Sequence, residues 1–175
     1  MLKPLTPEQL AASAMRASGT FEAQAASAVA TIDKKPPDAL KNASDADKPK
    51  MRAELIELRL LDQIDNTFAE FVKYYGGLPG QDFQATVNQA LFVENGGTID
   101  GWLKPTGDNL VARLAKIEDA AAVADECYLA VFSRPASESE KRDVAKYLKD
   151  RSDRPVAIGE MVWALLSSSE FRFNH

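Results

Sequence analysis

Apolar residues recur every three or four positions through most of the chain, and this spacing predicts helices. The most regular run lies within 51–75, where the apolar positions are Leu55, Leu58, Leu61, Ile64, Phe68, Phe71, Val72 and Tyr75. Leu60 lies outside this stripe and indicates that a second face of the helix is partly covered. The sequence lacks the alternating β-branched runs that are typical of strands. We therefore expect an all-α fold, a single bundle-like domain of about seven or eight helices.

Two capping-box patterns mark where helices begin. Thr6 is followed three residues later by Gln9, and Ser137 is followed at the same spacing by Glu140. In a capping box the first side chain accepts a hydrogen bond from the backbone N–H three residues on, and the later side chain accepts one in return. Gly19 predicts the end of the first helix, because glycine readily adopts the left-handed conformation of a C-cap.

One stretch of the chain interrupts the helical pattern. Residues 33–50 contain three prolines, alternating charges and small side chains, a composition typical of an exposed linker. We expect an N-terminal helical arm over 1–32, a Pro/Lys-rich linker or loop over 33–50, and the main helical domain over 51–175. A shorter stretch with proline and glycine, 98–108, predicts an irregular packed loop.

Composition and charge exclude several classes of protein. Of the 175 residues, 45% are hydrophobic and 27% are charged, which is ordinary for a folded domain. The net charge of −5 disfavours a nucleic-acid binder that relies on positive charge. One Cys and one His exclude a disulfide framework and a Cys/His zinc cluster within this chain. No apolar run approaches the roughly 20 residues of a membrane span, and we expect no signal peptide, metal or cofactor.

Candidate catalytic groups are sparse in the sequence. Cys127 lies on an apolar stripe without an adjacent basic group, so we interpret it as a buried structural thiol rather than a nucleophile. Neighbouring carboxylates such as Asp62 and Asp65, or Asp125 and Glu126, fall on outer helix faces. The glycine-rich phosphate motifs and the GxSxG elbow do not occur. We therefore predict no catalytic residue.

Aromatic residues supply the candidates for a contact surface. Tyr74 lies off the main stripe of its helix, and Trp102 lies in the predicted loop, so either ring could line a groove. His175 ends the sequence and is expected to lie on the surface or to anchor the end of the chain.

The C-terminal third resembles a known family. The segments are 128–135 (YLAVFSRP), Ser137-x-x-Glu140, and 162–175 (VWALLSSSEFRFNH). They are similar to the C-terminal "planctomycete surface" domain of unknown function, found in large planctomycete proteins that often carry cytochrome-c-like and lectin-like segments. Residues 87–92 and 4–10 also look like segments of that family.

The resemblance implies a helical terminal module of an exported protein, with a role at the cell envelope or in polymer handling. It supplies no catalytic residues. Haem binding does not carry over, because this chain lacks a CxxCH motif. The partner we expect is a protein: a second copy of the chain, or the rest of a larger assembly.

The residues that carry the resemblance also have a physical interpretation as architecture. They are Arg134, Pro135, Ser137, Glu140, Trp163, Glu170, Phe171, Phe173 and His175. Arg134-Pro135 ends one helix and the capping box starts the next, which fixes a corner between two helices. The large aromatic residues could clamp the end of the chain. We expect Arg134 to pair with Glu170 or with the terminal carboxylate.

Three functions remain open at this point. The lack of catalytic motifs favours a non-enzymatic interaction or scaffold module. A small-ligand-binding domain would need a cavity between helices that contains Trp102 or Tyr74. An accessory domain of an extracellular polymer-processing enzyme would need two facing carboxylates with raised pKa.

Overall fold

The structure is a computed structural model that describes the backbone of residues 3–75 and 97–174, with the side chains of 5–69 and 99–173. The all-α fold is confirmed. The described residues form ten helices and two two-residue strands: β1 (Lys3–Pro4), α1 (Pro7–Ser18), α2 (Thr20–Lys34), α3 (Asp38–Asn42), α4 (Lys48–Tyr75), α5 (Gly97–Leu103), α6 (Leu110–Ala115), α7 (Ala120–Phe132), α8 (Glu138–Lys149), α9 (Arg154–Leu166), α10 (Ser169–Arg172) and β2 (Phe173–Asn174).

Both predicted capping boxes are confirmed. The Thr6 side chain accepts a hydrogen bond from the Gln9 backbone N–H, and the Gln9 side chain accepts one from the Thr6 N–H. Ser137 and Glu140 make the same pair of bonds at the start of α8. Gly19 ends α1 in the left-handed conformation, with a φ of 82°, so the predicted stop is also confirmed.

Helix α1 is central to the packing rather than peripheral. It contacts α2, α4, α5, α6 and α7. Small side chains on its buried face, including Ala11, Ala14 and Ala17, allow these neighbours to approach closely, and they share one hydrophobic core with α6, α7 and α9. The sequence predicts a separate arm over 1–32, because an alanine-rich stripe buries little area and so gives a weak apolar signal.

The stretch predicted as a linker is partly helical. Residues 33–50 contain all of α3 and the first residues of α4. Leu40 of α3 is buried. Beside it, Arg52 makes two hydrogen bonds to Asp33, both 2.7 Å, which join the start of α4 to the end of α2. A short helix held by one buried leucine does not produce a periodic pattern in the sequence, so the expectation of a plain loop was wrong.

The predicted apolar stripe of α4 is only partly buried. Ile64 is buried, and Leu60 is partly covered as the sequence indicated. Leu58 and Leu61, however, are 63% and 48% exposed. Helix α4 packs on α1, α2 and α3, and these neighbours leave the side carrying the two leucines open. Spacing shows that a helix has apolar faces, but the neighbouring helices decide which of them is covered.

In the C-terminal part, helices that the sequence predicts pack into one hydrophobic core. Leu110, Val111 and Leu114 of α6 are fully buried, and Ile158 and Val162 of α9 pack into the same cluster. The irregular loop predicted over 98–108 is a correction: its first part is helix α5, whose Ile99 and Leu103 lie one turn apart and are buried. Such a helix, which holds two glycines in seven residues, is fixed by packing more than by propensity.

The two ends of the described chain meet. Strand β1 pairs antiparallel with β2, Lys3 opposite Asn174 and Pro4 opposite Phe173. The Leu5 N–H donates to the Arg172 carbonyl at 2.9 Å. No strand was expected from the sequence, because two residues are too few to show alternation.

Candidate functional site

The resemblance motif folds into a clamp centred on Arg134. Helix α7 ends at Phe132, and Ser133 turns the chain in a left-handed conformation with a φ of 57°. This turn places the Arg134 guanidinium between the start of α8 and α10. Its Nε and Nη2 donate to Glu170 at 2.7 and 3.0 Å. The predicted pairing of Arg134 with Glu170 is therefore confirmed.

Glu140 supplies the second carboxylate of the clamp. Its Oε2 and Oε1 accept from Arg134 at 3.0 and 2.9 Å. The Oε2 atom also accepts from the Ser137 N–H at 2.6 Å, which completes the capping box. The Glu140 carboxylate therefore has two roles: it binds Arg134 at the corner between α7 and α8, and it caps the first turn of α8. The Pro135 carbonyl accepts a further bond from Arg134 Nη1 at 3.2 Å.

These contacts favour the ionised forms of Arg134 and Glu140. Hydrogen bonds from Arg134 are the main cause that lowers the pKa of Glu140 to about 2, and the Ser137 N–H adds to the effect. Hydrogen bonds to Glu140 and Glu170 raise the pKa of Arg134. Groups that stay charged across the neutral range hold structure together and are poorly suited to donate or accept protons.

Aromatic side chains cover the clamp. The Arg134 guanidinium lies 5.2 Å from the Tyr128 ring centre and 5.5 Å from that of Phe132. The two rings meet edge to face at 5.4 Å. Phe171 is buried, and Trp163 and Phe173 are partly buried. The interpretation as architecture therefore agrees with these contacts, while His175 lies outside the described residues.

Cys127 is fully buried on α7, as the sequence predicted. Burial raises the pKa of its thiol to about 12, with a further contribution from Glu126. Because the thiolate is the nucleophilic form, a thiol with this pKa is unreactive at neutral pH.

An open pocket lies where α2, α4 and α5 meet. It has a volume of about 530 Å³ and is lined by Thr20, Ala23, Gln24, Ser27, Arg59, Asp62, Gln63, Asn66, Gly101, Trp102, Thr106 and Asn109. Trp102 is partly buried, and it also packs against the hydrophobic core. We call this cavity the glutamine pocket, after Gln24 and Gln63. The side chain of Tyr74, the other predicted contact residue, lies outside the described residues.

The pocket wall that carries Trp102 is fixed by Asn109. Its side-chain amide donates to the carbonyls of Trp102 and Lys104 at 3.0 and 2.6 Å. Its oxygen accepts from the Ala112 N–H at 2.9 Å and so caps α6. A buried asparagine whose amide groups are all used in this way holds the end of α5 against α6.

Two of the lining residues each have a side-chain oxygen without a hydrogen-bond partner, Gln24 Oε1 and Gln63 Oε1, and both of these atoms are buried in the protein away from solvent. The Gln24 amide nitrogen donates to Thr67 Oγ1 at 3.3 Å, and that hydroxyl donates to the backbone carbonyl of Gln63, one turn earlier on α4, at 3.0 Å. Neither bond uses the side-chain oxygen of either glutamine. Sequence reasoning missed them, because glutamine in an amphipathic helix carries no signal of its own.

A second surface feature lies on α4. The exposed Leu58 and Leu61 are one turn apart and have exposed carboxylates around them, at Glu54, Glu57, Asp62 and Asp65. Arg59 lies among these residues and pairs with Asp62 at 3.2 Å. We call this surface the α4 leucine patch.

Across 3–75 and 97–174, His, Cys, Asp and Glu do not form a group of three that could hold a metal. Where a described carboxylate has a shifted pKa, as in Asp33 and Glu140, an arginine lowers it. No described helix has the length and apolar character required to cross a bilayer.

Comparisons of the chain with protein-family models, with curated proteins and with solved structures find no match. The resemblance of 128–175 therefore rests on its sequence motifs alone.

Proposed function

We propose that this chain is a non-catalytic helical module that binds another protein through the α4 leucine patch. The observation that carries the proposal is the exposure of Leu58 and Leu61, at 63% and 48%, on the longest described helix. Burying a leucine side chain contributes about 1.5–3 kcal/mol relative to leaving it in water. A partner that covers both side chains would recover that energy.

Charge around the patch indicates what the partner offers. Carboxylates outnumber cations there, since Arg59 is accompanied by Glu54, Glu57, Asp62 and Asp65. If two copies of α4 paired antiparallel about the leucines, Glu54 of one would face Asp65 of the other. Like charges that face each other disfavour such a pairing. The proposed partner is therefore a different protein whose apolar residues are flanked by Lys or Arg.

The Arg134 clamp supports a binding role rather than a catalytic one. Its three charged groups are held in mutual ion pairs, with Glu170 2.7 Å and Glu140 2.9 Å from the guanidinium. Such a network fixes the corner of α7 and α8, and within it the pKa of Glu140 is lowered and that of Arg134 raised, both away from neutrality. A rigid body of this kind suits a surface that is recognised without changing shape.

The test uses a labelled amphipathic helical peptide of leucine and lysine as the probe, with binding followed by fluorescence anisotropy. We expect saturable binding that weakens as salt is added, because exposed charges are screened. The double substitution Leu58→Gln with Leu61→Gln should weaken binding by about tenfold or more. The matched control is Leu129→Gln, which changes a leucine of similar exposure (49%) on α7.

Two results would contradict this proposal. Equal loss of binding in the Leu129→Gln control would show that the peptide adheres to any apolar side chain. A dimer seen by light scattering, dissociated by the double substitution, would replace the proposed partner with a second copy of the chain.

The resemblance adds location to the proposal: the module would belong to an exported, envelope-associated protein. Fractionation of the source cells with an antibody against this chain tests that part. Recovery in the cytosolic fraction alone would remove the envelope role and leave the patch proposal untouched.

A further inference from the structure

A pocket with both apolar and positively charged lining lies where α2, α3 and the start of α4 meet. It has a volume of about 690 Å³ and is lined by Ile32, Asp33, Pro36, Leu40, Lys41, Lys48, Pro49 and Arg52. We call it the α3 pocket. It shares no lining residue with the α4 leucine patch, so what it binds is independent of the proposed protein-binding surface.

Four of the eight lining residues are apolar. Ile32 of α2 and Leu40 of α3 are largely covered by the protein, yet each keeps an accessible edge, 7% and 9% of the residue. Pro36 is half-buried and Pro49 is exposed. Proline lacks a backbone N–H, so its ring presents C–H groups rather than a donor. This part of the lining favours an aliphatic group, which gains free energy by leaving water.

On the rest of the lining, positive charge exceeds negative charge. Lys41, Lys48 and Arg52 bring three cations, and Asp33 brings one carboxylate. Arg52 holds that carboxylate with two hydrogen bonds of 2.7 Å, so these two charges compensate each other. The two lysines therefore give the lining a positive excess, in a chain whose net charge is −5.

The two lysines have ion-pair partners, but these leave donors available. Lys41 pairs with Asp38 at 2.8 Å, and Lys48 pairs with Asp45 at 2.9 Å. Both aspartates lie outside the lining, and their side chains are 88% and 98% exposed, so water screens these pairs and they are weak. Each ammonium has three N–H donors, of which its aspartate uses one. A ligand in the pocket can use the others.

From this arrangement we infer that the α3 pocket binds an anionic amphiphile, a carboxylate or phosphate carried on an aliphatic chain. The aliphatic chain lies against Ile32, Leu40 and the two prolines, and the anionic head accepts hydrogen bonds from the lysines. A purely apolar ligand leaves the ammonium groups unused, and a small inorganic anion leaves the apolar lining unused. The volume of about 690 Å³ falls within the roughly 300–1,000 Å³ typical of small-molecule sites.

The test titrates the intact chain with octanoate and follows binding by calorimetry and by amide chemical shifts in NMR spectra. Two matched probes separate the parts of the ligand: acetate has the same head without the long chain, and octyltrimethylammonium has the chain with the opposite charge. We expect octanoate to bind saturably, with a Kd of about 1 mM or tighter. Acetate and the cation should each bind at least about tenfold more weakly.

Three double variants test the role of the lysines. Lys41→Gln with Lys48→Gln should weaken octanoate binding by about tenfold or more, because both charged donors are lost. Lys41→Arg with Lys48→Arg keeps two charged donors and should bind within about threefold of the original chain. The matched control, Lys34→Gln with Lys50→Gln, removes the same net charge from exposed lysines outside the lining and should also stay within about threefold. Melting temperatures check that all three variants fold.

Vesicles distinguish the two sources of such a ligand. If the chain binds vesicles of phosphatidylglycerol, and Lys41→Gln with Lys48→Gln abolishes that binding, the ligand is a membrane lipid. Octanoate binding without vesicle binding identifies a free fatty acid instead. Both results support the inference, because the two ligands share an anionic head and an aliphatic chain.

Three outcomes would overturn the inference. One is the absence of saturable octanoate binding, whatever the vesicles show. Another is acetate binding as tightly as octanoate, since the lysines would then attract any small anion and the apolar lining would play no part. The third is an equal loss of binding in the Lys34→Gln, Lys50→Gln control, which would show an effect of overall charge rather than of the pocket.

Discussion

Arg134 joins three parts of the chain because a guanidinium has five N–H donors in one fixed plane. Two carboxylates and one carbonyl accept from it, and its central carbon lies over the rings of Tyr128 and Phe132. A lysine would keep the charge but could not hold Glu140 and Glu170 with paired bonds at once. The identity of this single side chain, more than its charge, fixes the corner between α7 and α8.

The clamp predicts how stability depends on pH. The pKa of Glu140 is lowered from 4.5 to about 2 by Arg134, so folding favours the ionised form. Its contribution is therefore fully present above pH 4.5 and is lost as the pH falls towards 2. We expect Glu140 to contribute about 1–2 kcal/mol to the free energy of unfolding at pH 7, reduced for solvent screening.

Urea unfolding at pH 7, 5 and 3 measures this dependence. The control is Glu140→Gln, which keeps a capping side chain but cannot ionise. At pH 7 the original chain should have the larger free energy of unfolding, and its difference from this variant should shrink as the pH falls. A constant difference in free energy between the two would contradict the assigned role.

At the scale of single elements, the junction of α1 and α2 depends on one glycine. Gly19 has a φ of 82°, and a Cβ added there would lie 3.2 Å from the Asn109 Cα. Gly19→Ala should therefore lower the free energy of unfolding by about 1–2 kcal/mol from backbone strain, and further from the contact. Gly101→Ala is the matched comparison: its Cβ meets open space within α5, so it should raise that free energy by about 0.5–1 kcal/mol. Thermal and urea unfolding of both variants measure whether Gly19→Ala lowers the free energy of unfolding and Gly101→Ala raises it. Equal stability of the two variants would contradict the requirement for glycine between α1 and α2.

What the sequence predicts well is local. The capping boxes at Thr6 and Ser137, and the stop at Gly19, depend on neighbouring residues alone, so spacing was enough to place them. Burial of α4 depends on which helices pack against it, so the spacing that places Leu58 on an apolar stripe does not show whether that stripe is covered. The glutamine pocket forms from three helices that are distant in sequence, and glutamine has no pattern that could have indicated it.

For the molecule as a whole, the pairing of β1 with β2 places the two ends of the described chain side by side, Lys3 opposite Asn174. This predicts that a circular permutant will fold. The ends would be joined by a short Gly–Ser linker, and the chain would be opened between Arg151 and Ser152, both exposed between α8 and α9.

We expect the permutant to melt within about 4 °C of the original chain, because a shift of that size corresponds to about 1 kcal/mol at this length. The control opens the chain inside α9, between Ile158 and Gly159, which are both buried, and should not fold. Circular dichroism during heating measures both. If the first permutant failed to fold while the linker was long enough to span adjacent strands, the ends could not be neighbours in solution. The hydrogen bond from Leu5 to Arg172 would then not join the two ends of the described chain.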